Sequence, residues 1–158
     1  MKRLLVAVVA LGLTGPAAAT EAAAPQTALE RWQEDRTVVF DAAEIDLAAF
    51  QWLARAVVVF ADTPNDPRFV QQMELLAALP EELAKRDVVV ITDTDPKALS
   101  DIRKKLRPRG FMLVLMAKDG TVNLRKPFPW DVRELSRAID KMPLRQQEMR
   151  ERHEPAPR

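Results

Sequence analysis

The side chains that could carry out covalent catalysis are scarce in this sequence. It contains no cysteine, so thiol–disulfide exchange, which needs a thiolate nucleophile, is excluded. The single histidine, His153, lies in a proline-containing C-terminal segment, where no rigid frame would orient it as a general base. Its two serines, Ser100 and Ser136, fall within predicted helices and not in a Gly-x-Ser-x-Gly turn. Glycine-rich phosphate loops and zinc-ligand spacings are missing as well. We therefore expect no catalytic residue of a conventional kind and no cofactor.

One group of polar and aromatic residues could still form a ligand site. Its members are Asp62, Thr63, Asn65, Asp66, Arg68, Asp93, Arg107, Arg109 and Phe111. They lie at strand ends of a predicted open sheet, which is where ligands of α/β proteins bind. Arg109 and the first N–H groups of a helix could hold an anionic group there. The alternative, which the sequence favours, is that Asp62 or Asp66 pairs with Arg107 or Arg109 and closes the loops, because Asp66 at a helix start would repel an anion.

A metal site is not expected. Asp93 and Asp95 lie two residues apart and could contribute to a divalent-cation site. Calcium normally requires six or more oxygen ligands, and no Asp-rich loop supplies the rest. Asp95 is interpreted instead as a helix N-cap, which leaves Asp93 without an assigned role.

The first 19 residues have the composition of a secretory signal peptide. Lys2 and Arg3 precede an apolar run at residues 4–13, and small residues follow up to Ala19, where we expect cleavage, with a second candidate site at residues 22–24. The run is about ten residues long, too short for the roughly 20 that a membrane-spanning helix requires. Removal of these two cations changes the formal charge from +1 to −1. We therefore expect a periplasmic or secreted protein, without stable membrane insertion after signal cleavage and without nucleic acid as a partner.

Continuous apolar runs predict two buried strands. Residues 57–60 and 88–91 lack the polar alternation of a half-exposed strand. The helix between them is predicted to begin with Asp66 as N-cap and Pro67 at its first position, and Pro80 should kink or restart it. Two strands joined in this way form a parallel pair with a right-handed crossover.

A second helix and a hairpin follow along the chain. Asp95 and Pro96 repeat the same start pattern and predict a helix that ends near Arg107. Residues 111–116 form a third apolar strand, and an Asp-Gly pair predicts the tight turn to an alternating strand at residues 121–125. A last helix is predicted to begin at a capping box formed by Asp131 and Glu134.

The N-terminal extension is predicted less regularly. A short extended run covers residues 37–40, and an amphipathic turn or helix contains Leu47 and Phe50. We expect Phe50 and Trp52 to anchor this segment to the main core, because large aromatic side chains gain most from burial.

The element order is strand, helix, strand, helix, strand, strand, helix, and it matches the thioredoxin core. The predicted fold class is α/β, thioredoxin-like, with a central mixed sheet of about four strands flanked by helices. The sheet would contain a parallel pair plus a C-terminal antiparallel hairpin. The predicted organisation is a signal peptide at 1–19, a leader and extension at 20–46, the thioredoxin-like domain at 47–142 and a polar, partly disordered tail at 143–158.

Several short motifs also resemble a bacterial family of exported thioredoxin-like proteins of unknown function. They are Phe50-Gln51-Trp52, residues 55–60, Asp66-Pro67-Arg68, Gly110-Phe111, Lys118-Asp119-Gly120 and residues 142–149. This family is related to the C-terminal domains of DUDES and sushi-repeat-containing extracellular proteins. The resemblance implies a thioredoxin-like fold, export and no established activity. Residues 61–67, where a thiol enzyme of this fold would carry Cys-x-x-Cys, contain none, and Gly110-Phe111 stands where thioredoxins place a cis-proline.

Three functional hypotheses remain at this level. The first is a non-catalytic periplasmic module that binds an unknown protein or small ligand. The second is a cysteine-independent enzyme or oxidoreductase-like protein that uses the loop from Asp62 to Asp66 together with Arg109. The third is a structural or envelope-associated protein that uses the basic residues between Arg103 and Arg109 together with the C-terminal tail. The sequence favours the interpretation of these basic residues as a solvated helix face.

Overall fold

The structure is a computed structural model that describes residues 25–153. In this range the helices are α1 (Ala28–Glu34), α2 (Leu47–Phe50), α3 (Pro67–Ala78), α4 (Pro80–Ala84), α5 (Asp101–Leu106), α6 (Val132–Asp140) and α7 (Pro143–His153). The strands are β1 (Val39–Asp41), β2 (Arg55–Phe60), β3 (Val88–Asp93), β4 (Met112–Met116) and β5 (Val122–Lys126).

The strands form one mixed sheet in the order β1-β3-β2-β4-β5. β2 and β3 are parallel, whereas β4 is antiparallel to both β2 and β5. The predicted parallel pair and C-terminal hairpin are therefore confirmed, but the predicted count of about four strands is one too low. The additional strand is β1, which pairs in parallel with β3 and places Phe40 opposite Ile91.

Side chains alternate between two apolar cores on the two faces of the sheet. On β2, Val58 and Phe60 belong to one core, and Val57 and Val59 belong to the other. The first core packs under α1, α2 and α5, and the second packs under α3, α4 and α6. Because both faces are covered, β2 is buried along its whole length, which explains why its sequence shows no polar alternation.

Trp52 does not anchor the N-terminal segment as predicted. Phe50 is buried against Trp32 and Phe40, but the side chain of Trp52 is 64% exposed. α2 ends at Phe50, and Trp52 lies in the following turn with φ +67°, where its backbone N–H donates to the carbonyl of Lys118. This backbone hydrogen bond holds the turn in place, so the segment is anchored there without burial of the Trp52 side chain.

The helix predicted from Asp95 begins six residues later. Ser100 is the N-cap of α5, and its hydroxyl accepts a hydrogen bond from the N–H of Arg103. Asp95 accepts hydrogen bonds from two following backbone N–H groups, but only within a local turn. Leu99 has φ +48° and is exposed, which interrupts any continuous helix from Asp95. α5 is therefore short, and the position of its N-cap, Ser100, determines which of its residues face the core.

The two ends of the chain are described only in part. The predicted signal peptide at 1–19 and the beginning of the predicted leader lie outside the described residues. Most of the segment predicted as a polar tail forms α7, and the tail residues after 153 lie outside the described range. Among residues 25–153, no helix combines the length and apolar character needed to cross a membrane.

Candidate functional site

The sheet gathers the residues of the predicted site at one of its ends. Phe60, the last residue of β2, pairs with Asp93 at the end of β3 and with Met112 at the start of β4. The loops that leave these strands therefore start side by side. Gly110 lies next to the first loop, since a Cβ at its position would be in ordinary van der Waals contact with Asp62 Oδ2, at 3.9 Å. The positive φ of Gly110, +59°, is what favours glycine at this position.

A buried ion pair lies beneath these loops. The guanidinium of Arg103 donates to Asp93 Oδ1 from Nη2 at 2.7 Å and from Nε at 3.0 Å. Its Nη2 also donates to the backbone carbonyls of Asp93 and Ala61, and the Ser100 hydroxyl donates to Asp93 Oδ2 at 2.5 Å. Both charged side chains are over 90% buried. Arg103 thus links β2, β3 and α5, and it leaves few hydrogen-bonding groups of either side chain for a ligand.

A second pair, whose arginine is exposed, covers the start of α3. Asp66 is the N-cap, as predicted, and its carboxylate accepts hydrogen bonds from the backbone N–H and the guanidinium of Arg68. The side-chain hydrogen bond from Arg68, together with the backbone N–H, holds the pKa of Asp66 below its ordinary value. The Arg68 guanidinium lies over the ring of Phe111, 5.4 Å from its centroid, and Phe111 itself is buried in the core. Phe111, which the sequence predicts as a ligand-binding residue, is therefore covered by protein, and its ring does not form the open wall of a cleft.

The loops are tied by Asp–Arg pairs, but through different arginines from those predicted. Asp62 lies 4.0 Å from Arg103, and Asp66 pairs with Arg68. Arg107 and Arg109 are exposed and form no ion pair with any residue in the described range. The expected pairing of Asp62 or Asp66 with Arg107 or Arg109 is therefore wrong.

The remaining predicted residues complete the first loop. The Thr63 hydroxyl accepts a hydrogen bond from the backbone N–H of Asn65 at 3.3 Å, and its carbonyl accepts one from the N–H of Asp66. Both side chains are exposed. They shape the loop through local contacts, and the exposed Arg109 directly precedes Gly110, which lies next to Asp62 of this loop.

A second group of charges lies at the opposite end of the sheet, and sequence reasoning missed it. We call it the basal cluster, formed by Arg55, Asp87, Lys118 and Glu148. Arg55 is 1% exposed at the start of β2, and its Nη2 donates to Glu148 Oε1 at 3.1 Å. Lys118 Nζ lies 2.9 Å from both Asp87 and Glu148. Glu148 therefore joins α7 to two buried cations of the sheet.

Outer charges surround the basal cluster. Arg145 contacts Glu148 and Asp140, and Arg36 and Arg152 both contact Asp87. Partial burial acts to raise the pKa of Glu148, but the hydrogen bonds and positive charges of Lys118 and Arg55 outweigh it, so the pKa lies below its ordinary value. Glu148 is therefore ionised at neutral pH and stabilises the position of α7.

The largest difference between sequence and structure concerns Arg103. The sequence predicts it to be one of several basic residues on a solvated helix face, but the structure buries it and leaves its neighbours Lys104 and Lys105 exposed. The positions of the buried Ile102 and Leu106 do not separate Arg103 from Lys105, so the signal in the sequence is only that one of these cations adjoins the apolar side of α5. An arginine within such a stripe pairs with an internal carboxylate, and Asp93 lacked any other role.

The comparison with protein families identifies the segment that contains these features. A family model described as Domain of unknown function (DUF4174) matches residues 46–148, more than half of the chain. The chain belongs to the DUF4174 family. The DUF4174 match begins at Asp46, the N-cap of α2, and ends at Glu148 of the basal cluster. It therefore contains both the Asp93–Arg103 pair and all four residues of the basal cluster.

Solved structures with a similar fold carry thioredoxin and peroxiredoxin names. Thioredoxin O2 from Arabidopsis thaliana, in its oxidized state, is 18% identical with a TM-score of 0.51, and the match covers 68% of this chain and 96% of that one. The reduced 2-Cys peroxiredoxin of Plasmodium vivax is 13% identical with a TM-score of 0.52, covering 69% of this chain and 86% of that one. A search of curated proteins found no match. These likenesses show that the DUF4174 domain has a thioredoxin-like fold.

Proposed function

We propose that this DUF4174 domain is an exported, non-catalytic binding module that uses a thioredoxin-like fold without thiol chemistry. The observation that carries the proposal is the Asp93–Arg103 pair, which occupies the interior at the strand ends where this fold would present a nucleophile. The chain has no cysteine to serve as that nucleophile. A stable surface for a partner is then the use that remains for this end of the sheet.

The partner-facing residues in this proposal are Arg107 and Arg109. They are exposed and have no opposite charge in contact within the described residues, and Arg109 directly precedes Gly110, which lies next to Asp62. Arg107 has a left-handed backbone at the end of α5, which turns the chain towards β4. Two unpaired guanidinium groups on a fixed turn suit carboxylates of a partner protein or a small anionic ligand.

The alternative of a cysteine-independent enzyme has less support. It requires the loop from Asp62 to Asp66 to act together with Arg109. Asp66 is occupied as the N-cap of α3 and by the guanidinium of Arg68. Neither aspartate forms an ion pair with Arg109 in the described structure, so the residues that this enzyme would use are not in contact with one another.

Export and origin are part of the same proposal. The charged and apolar residues at the N-terminus have the order of a secretory signal, so we place the mature protein in the periplasm or outside the cell. We also propose that the chain belongs among the bacterial exported relatives of the DUDES and sushi-repeat-containing proteins. Fractionation of cells that express the full chain with a C-terminal tag tests this location, since a full-length cytoplasmic product would contradict it.

The binding role is tested by replacing the two unpaired arginines. We expect a doubly substituted Arg107→Ala/Arg109→Ala protein to retain less than about a tenth of the partner captured by the unchanged protein from a periplasmic extract. The measurement is quantitative mass spectrometry after chemical crosslinking. The reason is that two charge-assisted contacts are lost together from one surface.

An Arg133→Ala/Arg150→Ala protein is the matched control, because these arginines are also exposed but lie on α6 and α7. The control should capture the partner normally. Equal capture of the partner by both doubly substituted proteins would show that Arg107 and Arg109 do not form the binding surface. Turnover of a defined substrate by a protein that captures nothing would overturn the binding role itself.

A further inference from the structure

A cavity on the other side of the molecule does not belong to the site described above. It has a volume of about 330 Å³ and lies between α2, α5 and the turn that joins β4 to β5. Its floor consists of apolar core residues: Ile45, Phe50, Ala54, Ala56, Ile102 and Met116. A volume in this range with an apolar floor is typical of small-molecule sites. None of the residues predicted from the sequence to bind a ligand lines it.

The cavity exists because small residues stand where larger ones would fill it. Ala54 lies just before β2 and Ala56 lies within it, and both belong to the same core as Val58 and Phe60. α2 is only four residues long, and Ala48 on this helix also lines the cavity. The two short helices therefore leave one end of this core open to solvent.

Two charged groups at the cavity are already paired. Asp101 contacts Lys104 at 3.0 Å, one turn further along α5. Lys118 contacts Asp87 and Glu148 in the basal cluster, each at 2.9 Å. Asp101 and Lys118 are therefore each in contact with an opposite charge of the protein, although Asp101 stays exposed to solvent.

Three other charged groups at the cavity have no opposite charge in contact among residues 25–153. Asp46 accepts a hydrogen bond from the N–H of Ala48 through Oδ1, and Asp119 accepts two from Thr121 through Oδ1. The second carboxylate oxygen of each accepts no hydrogen bond from the described residues. The backbone N–H and the hydroxyl of Thr121 hold the pKa of Asp119 below its ordinary value, so it is ionised. Lys105 contributes the opposite sign from α5.

We propose that this cavity binds a small zwitterion with an apolar body, of which apolar α-amino acids are the simplest class. The apolar body would occupy the floor, the ammonium group would face Asp46 and Asp119, and the carboxylate would face Lys105. This distribution places an opposite charge of the ligand against each unpaired charge at the mouth. The proposal concerns a different surface from Arg107 and Arg109, so the two stand or fall separately.

The test compares leucine with two analogues of similar size. 4-Methylpentanoate lacks the ammonium group, and 3-methylbutylamine lacks the carboxylate. We expect leucine to bind with a dissociation constant on the order of 0.1–1 mM, as measured by NMR titration, and each analogue to bind about fivefold more weakly because it loses one charge contact at an exposed mouth. Shift changes should be confined to α2, α5 and the turn between β4 and β5.

Two alanines on α2 supply a matched pair of variants. Ala48→Leu places a larger side chain at the cavity wall, whereas Ala49 is exposed on the same helix and does not line the cavity. We expect Ala48→Leu to weaken leucine binding at least about tenfold and Ala49→Leu to leave it unchanged. Both positions are exposed and helical, where leucine is well tolerated, so both proteins should fold.

Substitutions that remove one charge test the assigned contacts. Asp46→Asn keeps an equally good N-cap for α2, and Lys105→Gln keeps a long polar side chain. We expect Asp46→Asn to reduce the preference for leucine over 4-methylpentanoate, and Lys105→Gln to reduce the preference over 3-methylbutylamine. Absence of saturable binding, equal binding of all three probes, or equal binding by Ala48→Leu and Ala49→Leu would each overturn the proposal.

Discussion

Arg103→Met is expected to lower the free energy of unfolding by about 3–5 kcal/mol, as measured by urea denaturation at neutral pH. The substitution keeps a long, unbranched side chain on α5 but leaves the carboxylate of Asp93 buried with the Ser100 hydroxyl as its remaining side-chain partner. It also removes the donors to the carbonyls of Ala61 and Asp93. A buried charge without a counterion is among the most costly defects that a folded protein can contain.

Lys104→Met is the matched control for this prediction. Lys104 is the next residue on α5, and it pairs with Asp101 on the exposed side of the helix. Exposed pairs contribute about 0–1 kcal/mol, so the control should remain close to the unchanged protein. If Arg103→Met and Lys104→Met lose similar stability, the pair with Asp93 does not hold the loops in the way described here.

Replacing both charges should recover part of the loss. Arg103→Met combined with Asp93→Leu leaves no buried charge, and apolar replacements of buried ion pairs are often neutral in stability. We expect the double variant to be more stable than Arg103→Met alone. The difference between the double variant and the sum of the single ones measures how strongly Asp93 and Arg103 are coupled.

The central strands and the first crossover could be predicted because local pattern and tertiary structure agree there. Residues 57–60 are apolar on both faces because both faces are buried, and this condition leaves a continuous apolar run in the sequence. Asp66 followed by Pro67 starts α3 as predicted, since both the cap and the fixed proline φ favour the same helix start. In such segments the local sequence strongly favours one secondary structure, and the tertiary structure requires the same one.

The start of α5 could not be predicted because the same local pattern has two outcomes. Asp95 and Pro96 have the residue types that start α3, but here they form only a turn. The helix instead begins after Ser100, whose hydroxyl meets Asp93 across the turn. That contact spans seven positions, from the end of β3 to the residue before α5, so the shorter pattern of a helix start carries no information about it.

The candidate sites were hard to predict for a related reason. The basal-cluster residues that contact each other directly are 30 to 93 positions apart in the sequence, so no local pattern indicates their pairing. The cavity between α2 and α5 depends on short helices and on small residues at several separate positions. Only the arrangement of the sheet brings these residues together. The sequence therefore predicts which residues gather at one end of the sheet, but not which of their charges pair.

Glu148→Gln is expected to lower the free energy of unfolding by about 2–4 kcal/mol at neutral pH, because it leaves the buried Arg55 guanidinium without its carboxylate partner. The effect should depend on pH. The pKa of Glu148 is lowered in the folded protein from an ordinary value of 4.5, so its contribution is fully present above that value. The contribution is lost as the pH falls through the folded pKa. The difference in stability between the unchanged protein and Glu148→Gln should therefore shrink as the pH is lowered below 4.5.

Glu151→Gln separates this effect from a general change in the charge of α7. Glu151 lies on the same helix, is exposed and contacts Gln147, and it has no ion pair with the sheet within the described residues. It should change stability by less than about 0.5 kcal/mol at any pH. Asp140, whose pKa is also lowered, is present in all three proteins, but it shares Arg145 with Glu148, so the Glu148→Gln difference includes any change in that pairing. The stability difference between the unchanged protein and Glu148→Gln could instead stay constant from neutral pH to well below 4.5. That result would show that apolar contacts hold α7 in place, and not the charge that Glu148 presents to Arg55 and Lys118.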